Sequence, residues 1–227
     1  MDKTRYTIGI DEVGRGPIAG PVCVCAFKLK AGLNIKAFQK ASSKKVLGSP
    51  RGVLAVSARP FRQNFYEMPL RDSKKLSPQQ REAWFTEIKK WKTEGKCDFV
   101  LTYISAKEID KIGIAPAIKK ALEKSLLTLN PNTKTTILLD GGLKGPKEFT
   151  NQKTIIKGDE KEVAIALASI VAKVSRDALM KKHAKKYPNY GFEIHKGYGT
   201  KKHYEALDKH GFTLLHRATF LKKYTKR

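Results

Sequence analysis

Acidic residues are the scarce component of this sequence: 21 Asp+Glu stand against 46 Lys+Arg in 227 residues, a formal net charge of +25. Such an excess repels itself unless a polyanion screens it, which points to nucleic acid or an anionic membrane surface. Long apolar runs are missing too. In the apolar C-terminal half the longest charge-free stretch is 163–172, far short of the roughly 20 residues that span a bilayer. The first residues, Met-Asp-Lys-Thr-Arg-Tyr, contain no apolar segment, so no secretory signal is expected. Cysteine is sparse. Cys23, Cys25 and Cys97 cannot all pair, and the first two, two apart in a strand, would share one face as small hydrophobes. The five histidines, His183, His195, His203, His210 and His216, form no tight ligand pair along the chain, so no histidine metal site is expected. The expectation is a soluble, cytoplasmic protein that does not enter a membrane. Hydrophobic residues at 41% and aromatics at 9% are enough for a packed core, which argues against disorder.

What is present alternates. Residues 6–10 read as a β-strand running into Asp11-Glu12, followed by Gly14-Arg15-Gly16-Pro17, Gly20-Pro21 and a second strand over 22–27. A Gly/Pro-rich turn between two such runs predicts an antiparallel pair. Ser77-Pro78 starts a helix through Trp91, with serine as N-cap and proline in the first turn. A strand is predicted over 99–104, a helix over 115–129, and an apolar strand over 136–139 that ends at Asp140 and then Gly141-Gly142. The longest predicted helix covers 160–186 and is apolar all round its first half, hence buried. Together these predict one α/β domain with a mixed sheet. Residues 31–71 stand apart: eight basic residues accompany the single acid Glu67, which reads as a basic insertion or arm. A second basic stretch, 178–227, holds 13 Lys+Arg and 3 acids.

Four acids end or line apolar elements. Asp11 and Asp140 sit at the carboxyl ends of strands, where α/β sheets collect ligands and catalytic groups. Glu12 adjoins Asp11. Asp177 follows Ile170, Lys173 and Val174 at helical spacing and is expected to point inward. Each also has a plain reading: an i,i+4 pair with Lys173 or Lys181 for Asp177, a turn signal for Asp140-Gly141-Gly142, a polar strand exit for Asp11-Glu12. Converging carboxylates would repel one another unless a cation held them. Oxygen-only donors suit Mg²⁺ or Mn²⁺, and such a cluster in a strongly basic protein suggests metal-assisted phosphodiester chemistry. Gly14-Arg15-Gly16 follows at once, reading either as a hairpin turn or as a close-approach loop beside a guanidinium that forks onto phosphate.

The sequence around these residues resembles ribonuclease HII. The resemblance is carried by Gly9-Ile10-Asp11-Glu12-Val13-Gly14-Arg15-Gly16-Pro17, Gly20-Pro21-Val22, Asp72-Ser73-Lys74-Lys75-Leu76-Ser77, Leu139-Asp140-Gly141, Lys157-Gly158-Asp159, and Ala168 through Asp177. Tyr190-Gly191-Phe192, His195 through Thr200, and His216-Arg217 with Phe220 complete it, the last block being similar to the bacterial branch. It implies a ribonuclease H-like fold: a five-stranded mixed sheet flanked by helices, with a catalytic domain over 1–185 and a helical, substrate-binding C-terminal extension over 186–227. It implies that Asp11, Glu12, Asp140 and Asp177 bind two divalent ions, Mn²⁺ or Mg²⁺, and are catalytic. Gly14, Arg15 and Gly16 would read the 2′-hydroxyl and adjacent phosphate, Tyr198 would stack on the following sugar, and Lys74 would contact backbone phosphate. Residues 31–71 depart from the family pattern, in which a short link joins the second strand to Asp-Ser-Lys.

The implied activity is endonucleolytic cleavage on the 5′ side of ribonucleotides, in RNA–DNA hybrids or singly embedded in duplex DNA, leaving a 3′-hydroxyl and a 5′-phosphate. Two alternatives are a ribonuclease HIII-like hybrid nuclease and a basic nucleic-acid-binding protein without catalysis. Gly14-Arg15-Gly16 with Tyr198 disfavours the first, and four clustered acids, useless to a phosphate binder, disfavour the second. A monomer is expected. No residue supports a sliding-clamp or polymerase partner.

Overall fold

The computed structural model describes residues 5–30, 73–222 and 224. The predicted basic arm at 31–71 lies outside the described residues. Within them, a five-stranded sheet has the order β3-β2-β1-β4-β5, with β1 at Tyr6–Val13, β2 at Val22–Lys30, β3 at Cys97–Ile104, β4 at Thr136–Asp140 and β5 at Gln152–Ile155. β1 pairs antiparallel with β2 and parallel with β4; β2–β3 is antiparallel and β4–β5 parallel. The mixed sheet is as expected from sequence. The first strand is longer than predicted. It continues through Asp11, Glu12 and Val13 because β2 pairs with it that far, Asp11 opposite Cys25 and Val13 opposite Cys23. Asp11 is therefore inside the strand and not beyond its end.

Helices cover both faces. Helix α1 (Pro78–Thr93) begins with a capping box: Ser77 Oγ accepts from Gln80 N–H, and Gln80 Oε1 accepts from Ser77 N–H. This satisfies two N-terminal donors. Then follow α2 (Ala106–Ile112), α3 (Ile114–Leu129), α4 (Gly158–Lys161) and α5 (Val163–Lys186). Strand alternation sorts the core. Ile8, Ile10, Val22, Val24 and Ala26 meet Ile118, Ala121, Leu122 and Leu126 of α3. Cys23, Cys25 and Phe27 meet Trp84, Ile88 and Trp91 of α1 and Leu167 and Val171 of α5. The cysteines are buried and free, the small hydrophobes expected. The helix predicted over 160–186 is broken at Glu162, which is extended at φ −119° and ψ 120°. The short α4 before the break turns the Gly158 amide onto Asp140, a tertiary demand that helical periodicity does not register. No helix of the described residues is long and apolar enough to cross a membrane.

Beyond α5 lie α6 (Phe192–His195) and α7 (Lys201–His210), with 3₁₀ turns at Pro188–Tyr190 and Ala218–Phe220. They share a third apolar cluster in which Met180 and Ala184 of α5 meet Ile18, Ala19, Tyr190, Phe192 and Leu207. Beside it stand His195, His203 and His216, all buried, with the first two rings stacked at 4.2 Å. Their hydrogen bonds fix their tautomers. His216 Nδ1 accepts from Thr213 N–H at 2.8 Å, so its proton is on Nε2, 3.1 Å from His203 Nε2. His203 is then protonated at Nδ1, which donates to the Tyr198 carbonyl at 2.8 Å. His195 donates from Nε2 to Tyr190 O and accepts at Nδ1 from Gly197 N–H. All three rings are neutral.

Gly9 lies directly under α5: a Cβ there would stand 2.1 Å from the Ala164 carbonyl carbon. Gly9→Ala is expected to destabilise the fold by about 3 kcal/mol, the upper part of the range for overpacking, seen as a lower denaturation midpoint in urea. The histidines give a pH signature. Burial pushes His203 and His216 down to about 4, below the ordinary value near 6.5. Their contribution is complete above about pH 6.5 and is lost as pH falls toward 4, where the unfolded chain binds more protons. Imidazole ¹⁵N shifts of His203 and His216 should remain those of neutral rings at pH 5.5; charged rings at that pH would contradict the relay.

Candidate active site

The site forms where the central strands end. The parallel register pairs Ile10 with Leu139, so Asp11 and Asp140 are the next residues on adjacent strands, which run about 4.8 Å apart. Residues 9 and 11 share a face of β1. Gly9 meets α5 at Ala164 and Ile165, and Asp11 meets it at Ser169, whose side chain hydrogen-bonds the carboxylate. Ser169 Oγ is also 2.8 Å from Ser73 Oγ. A buried hydroxyl chain thus links Asp11 to the 3₁₀ turn Ser73–Lys75, where Lys74 is exposed.

The carboxylates differ in environment. Asp11 is buried, and its Oδ1 accepts the Glu12 amide at 2.8 Å. Burial first, then the charge of Glu12 and of Asp140, raises its pKa well above the ordinary carboxylate value. Burial raises Glu12 too, opposed by Arg15, whose Nη1 is 3.6 Å from Glu12 Oε1, and assisted by Asp140. Asp140 Oδ1 accepts from Gly158 N–H at 2.7 Å and Asp159 N–H at 3.4 Å. Asp177 lies on α5, eight residues beyond Ser169, and is partly buried. Its Oδ1 accepts from Lys173 Nζ at 2.9 Å, the i,i+4 pair that the sequence also allowed.

Asp11, Glu12 and Asp140 therefore feel one another's charge, while Asp177 is paired with a lysine. As the side chains stand, no three His, Cys, Asp or Glu among the described residues are placed to hold a metal ion. The donor chemistry fits a hard divalent cation: oxygen atoms only, mutual repulsion, and a buried aspartate held by hydroxyl and amide, with no ammonium or guanidinium among the described residues in ion-pair contact with it.

Beside the acids runs the turn 14–21. Gly14 takes φ +87°, and its missing Cβ leaves room for Arg176, whose Nε would otherwise lie 2.2 Å away. Gly16 borders Tyr198, with 4.0 Å between its Cβ position and Tyr198 Cε1. Tyr198 is 42% exposed, with its backbone held by His195 O and the His203 ring. Arg15, Gly16 and Tyr198 thus share one surface next to Glu12, with Gly14 buried beneath it; Lys74 stands on the separate turn after Ser73.

Sequence reasoning did not find the Ser73–Ser169 link, the histidine relay, or the burial of Arg176 and Arg217. The residue before Asp177 and the last His-Arg pair were visible as letters. Their burial was not, because an arginine surrounded by carbonyl groups leaves no periodic signal.

A family model described as Ribonuclease HII matches residues 45–223. The Ribonuclease HII of Ruminiclostridium cellulolyticum is 38% identical over 222 residues, covering 98% of this chain and 72% of that protein. That of Endomicrobium trichonymphae is 41% identical over 220 residues, covering 96% and 87%. Among solved structures, the PCNA:RNase HII complex from Archaeoglobus fulgidus shares the fold, with TM-score 0.65 and 21% identity over 93% of both chains. The family match, and relatives that align over nearly the whole of this chain, show that the chain belongs to the ribonuclease HII family and is a ribonuclease H enzyme.

Proposed function

We propose that this chain is a divalent-metal-dependent endonuclease that hydrolyses the phosphodiester on the 5′ side of a ribonucleotide, leaving a 3′-hydroxyl and a 5′-phosphate. Its substrates on this reading are RNA–DNA hybrids and duplex DNA with single embedded ribonucleotides. The observation that carries it is the placement of Asp11 and Asp140 on adjacent parallel strands with Glu12 beside them. Two Mg²⁺ or Mn²⁺ ions, when bound, supply the activation of water and the neutralisation of the leaving oxygen. Asp11, Glu12, Asp140 and Asp177 are the residues that would hold them, and Asp177 exchanges its Lys173 contact to do so. The amides of Gly158 and Asp159 keep the Asp140 carboxylate oriented.

Recognition falls to the neighbouring turn. Base edges do not distinguish ribose from deoxyribose, so the protein must sense the 2′-hydroxyl. Gly16, exposed, leaves the backbone of the turn accessible to it, and Arg15, exposed and 3.6 Å from Glu12, reaches the adjacent phosphate. Tyr198 packs on the following sugar. The surplus positive charge, with Lys74 toward the duplex backbone, supplies sequence-independent affinity. The sliding clamp in the Archaeoglobus complex belongs to that protein; for this chain we propose a monomer, acting in the cytoplasm, with 186–227 as its substrate-binding extension.

The test is cleavage of duplexes holding one, four or all ribonucleotides in one strand, with Mg²⁺ and Mn²⁺ compared and product ends mapped. Cuts 5′ to the ribonucleotide with a 3′-hydroxyl are expected, and cuts elsewhere or without added metal would overturn the reading. Asp140→Asn should reduce the rate at least about 100-fold while duplex binding persists, since it removes an anionic ligand and leaves the basic surface untouched. Near-normal cleavage by the folded variant would remove Asp140 from the site.

A further inference from the structure

The turn 14–21 is held mainly by its carbonyl groups, and two arginines do much of the holding. Arg217 is fully buried and donates to three carbonyls of the turn: Nε to Gly20 at 2.9 Å, Nη1 to Arg15 at 3.0 Å and Nη2 to Gly14 at 2.7 Å. Arg176, equally buried, holds the far end, with Nε 2.9 Å from Pro21 O and Nη2 3.4 Å from Ala19 O, while Nη1 donates to Lys196 O at 3.0 Å. Neither guanidinium is in an ion pair with a carboxylate among the described residues. Burial, with Arg176 adding its charge, pushes Arg217 down to about 10.

Two buried cations matched by carbonyl dipoles, with the Phe220 ring 5.1 Å from the Arg217 guanidinium, are costly to place. Neutral donors would fill the same hydrogen bonds with less desolvation, so the arrangement calls for a reason besides stability. Peptide geometry provides one. Across a trans peptide the carbonyl of one residue and the amide of the next point in opposite directions, and the described residues contain no cis peptide. With the Gly14 and Arg15 carbonyls both on Arg217, the amides of Arg15 and Gly16 point away from it. With both carbonyls drawn to one guanidinium, the two amides turn the same way, the backbone arrangement that forms an anion-binding nest. No backbone or side-chain acceptor among the described residues takes either N–H. The Tyr198 ring borders the same turn.

We propose that Arg217 is a positioning residue of the ribonucleotide site: by gathering the Gly14 and Arg15 carbonyls it presents the Arg15 and Gly16 amides as a ready pair of donors for the phosphate and 2′-hydroxyl, with its own charge directly behind them. This rests on the reading that Gly14–Gly16 hold the ribonucleotide. Arg176 packs beneath Gly14, but its hydrogen bonds to the turn reach only Ala19 and Pro21, leaving these two amides to Arg217. Lysine keeps the charge and loses the fork, so it separates orientation from electrostatics.

The experiment uses the full chain as wild type, Arg217→Lys and Arg176→Lys. ¹⁵N-labelled protein is titrated without divalent metal with a duplex carrying one ribonucleotide, and with its all-DNA counterpart. Steady-state kinetics with Mg²⁺ are measured in parallel. In the wild type, the Arg15 and Gly16 amide protons should move downfield with the ribonucleotide duplex and much less with DNA. Arg217→Lys should abolish that response and lower kcat/KM at the ribonucleotide by about 100-fold, the loss expected from a misplaced reacting group. Its affinity for the all-DNA duplex should change less than about twofold, since the exposed basic surface is intact. Arg176→Lys should keep the amide response. A cleaving wild type whose two amides do not respond overturns the proposal, and that result needs no variant to fold. An Arg217→Lys protein with the wild-type response and rate overturns it too. A wild type that leaves the ribonucleotide duplex uncut overturns the underlying reading of the function, and this inference with it.

Discussion

The close approach of α5 to β1 is the constraint on which the rest of the molecule depends. At Gly9 the two backbones are so near that no side chain fits between them, and from that contact α5 runs along the site. Two residues further along β1, Asp11 meets Ser169; eight residues further along α5 comes Asp177. The same helix carries Arg176 beneath the turn after β1 and Met180 into the C-terminal cluster. One backbone contact thus sets the spacing between the strand acids, the helix acid and the turn after β1.

Charge is segregated around that frame. The chain as a whole is strongly basic, which suits a polyanionic substrate, but the buried charges are arranged locally. Burial first, and then repulsion among the acids near the ends of β1 and β4, holds Asp11 and Glu12 toward their protonated forms. Arginines lie under the turn, bonded to carbonyls. A cation relieves the first group, and an anion at the turn relieves the second. On the proposed reading a phosphodiester bound with divalent ions would satisfy both, which makes the two groups halves of one site.

Much of this was legible in the sequence. Asp11 and Asp140 could be read because apolar strands ending in acids are conspicuous in a basic chain, and Ser77-Pro78 announced its helix. The boundaries were less legible. β1 runs past Asp11 because β2 pairs with it there, and α5 starts later than its apolar pattern suggests because Gly158 must reach Asp140. The inward placement of Asp177 followed from its spacing, but its contact with Lys173 was one of two open readings that spacing alone does not separate. The histidine relay was invisible, since Thr213, His216, His203 and Tyr198 are joined only by the folding of the C-terminal segment. The same holds for Arg217, whose carbonyl partners lie about 200 positions earlier.

The central claim is that four carboxylates, including one now paired with lysine, gather divalent ions beside a ribonucleotide. The most direct measurement is an anomalous difference map at the manganese edge, from crystals of the protein bound to a duplex with one ribonucleotide and soaked in Mn²⁺. The account predicts manganese peaks among Asp11, Glu12, Asp140 and Asp177, with Lys173 Nζ withdrawn from Asp177. Manganese bound elsewhere, or these carboxylates without it and the Lys173–Asp177 pair intact, would contradict it.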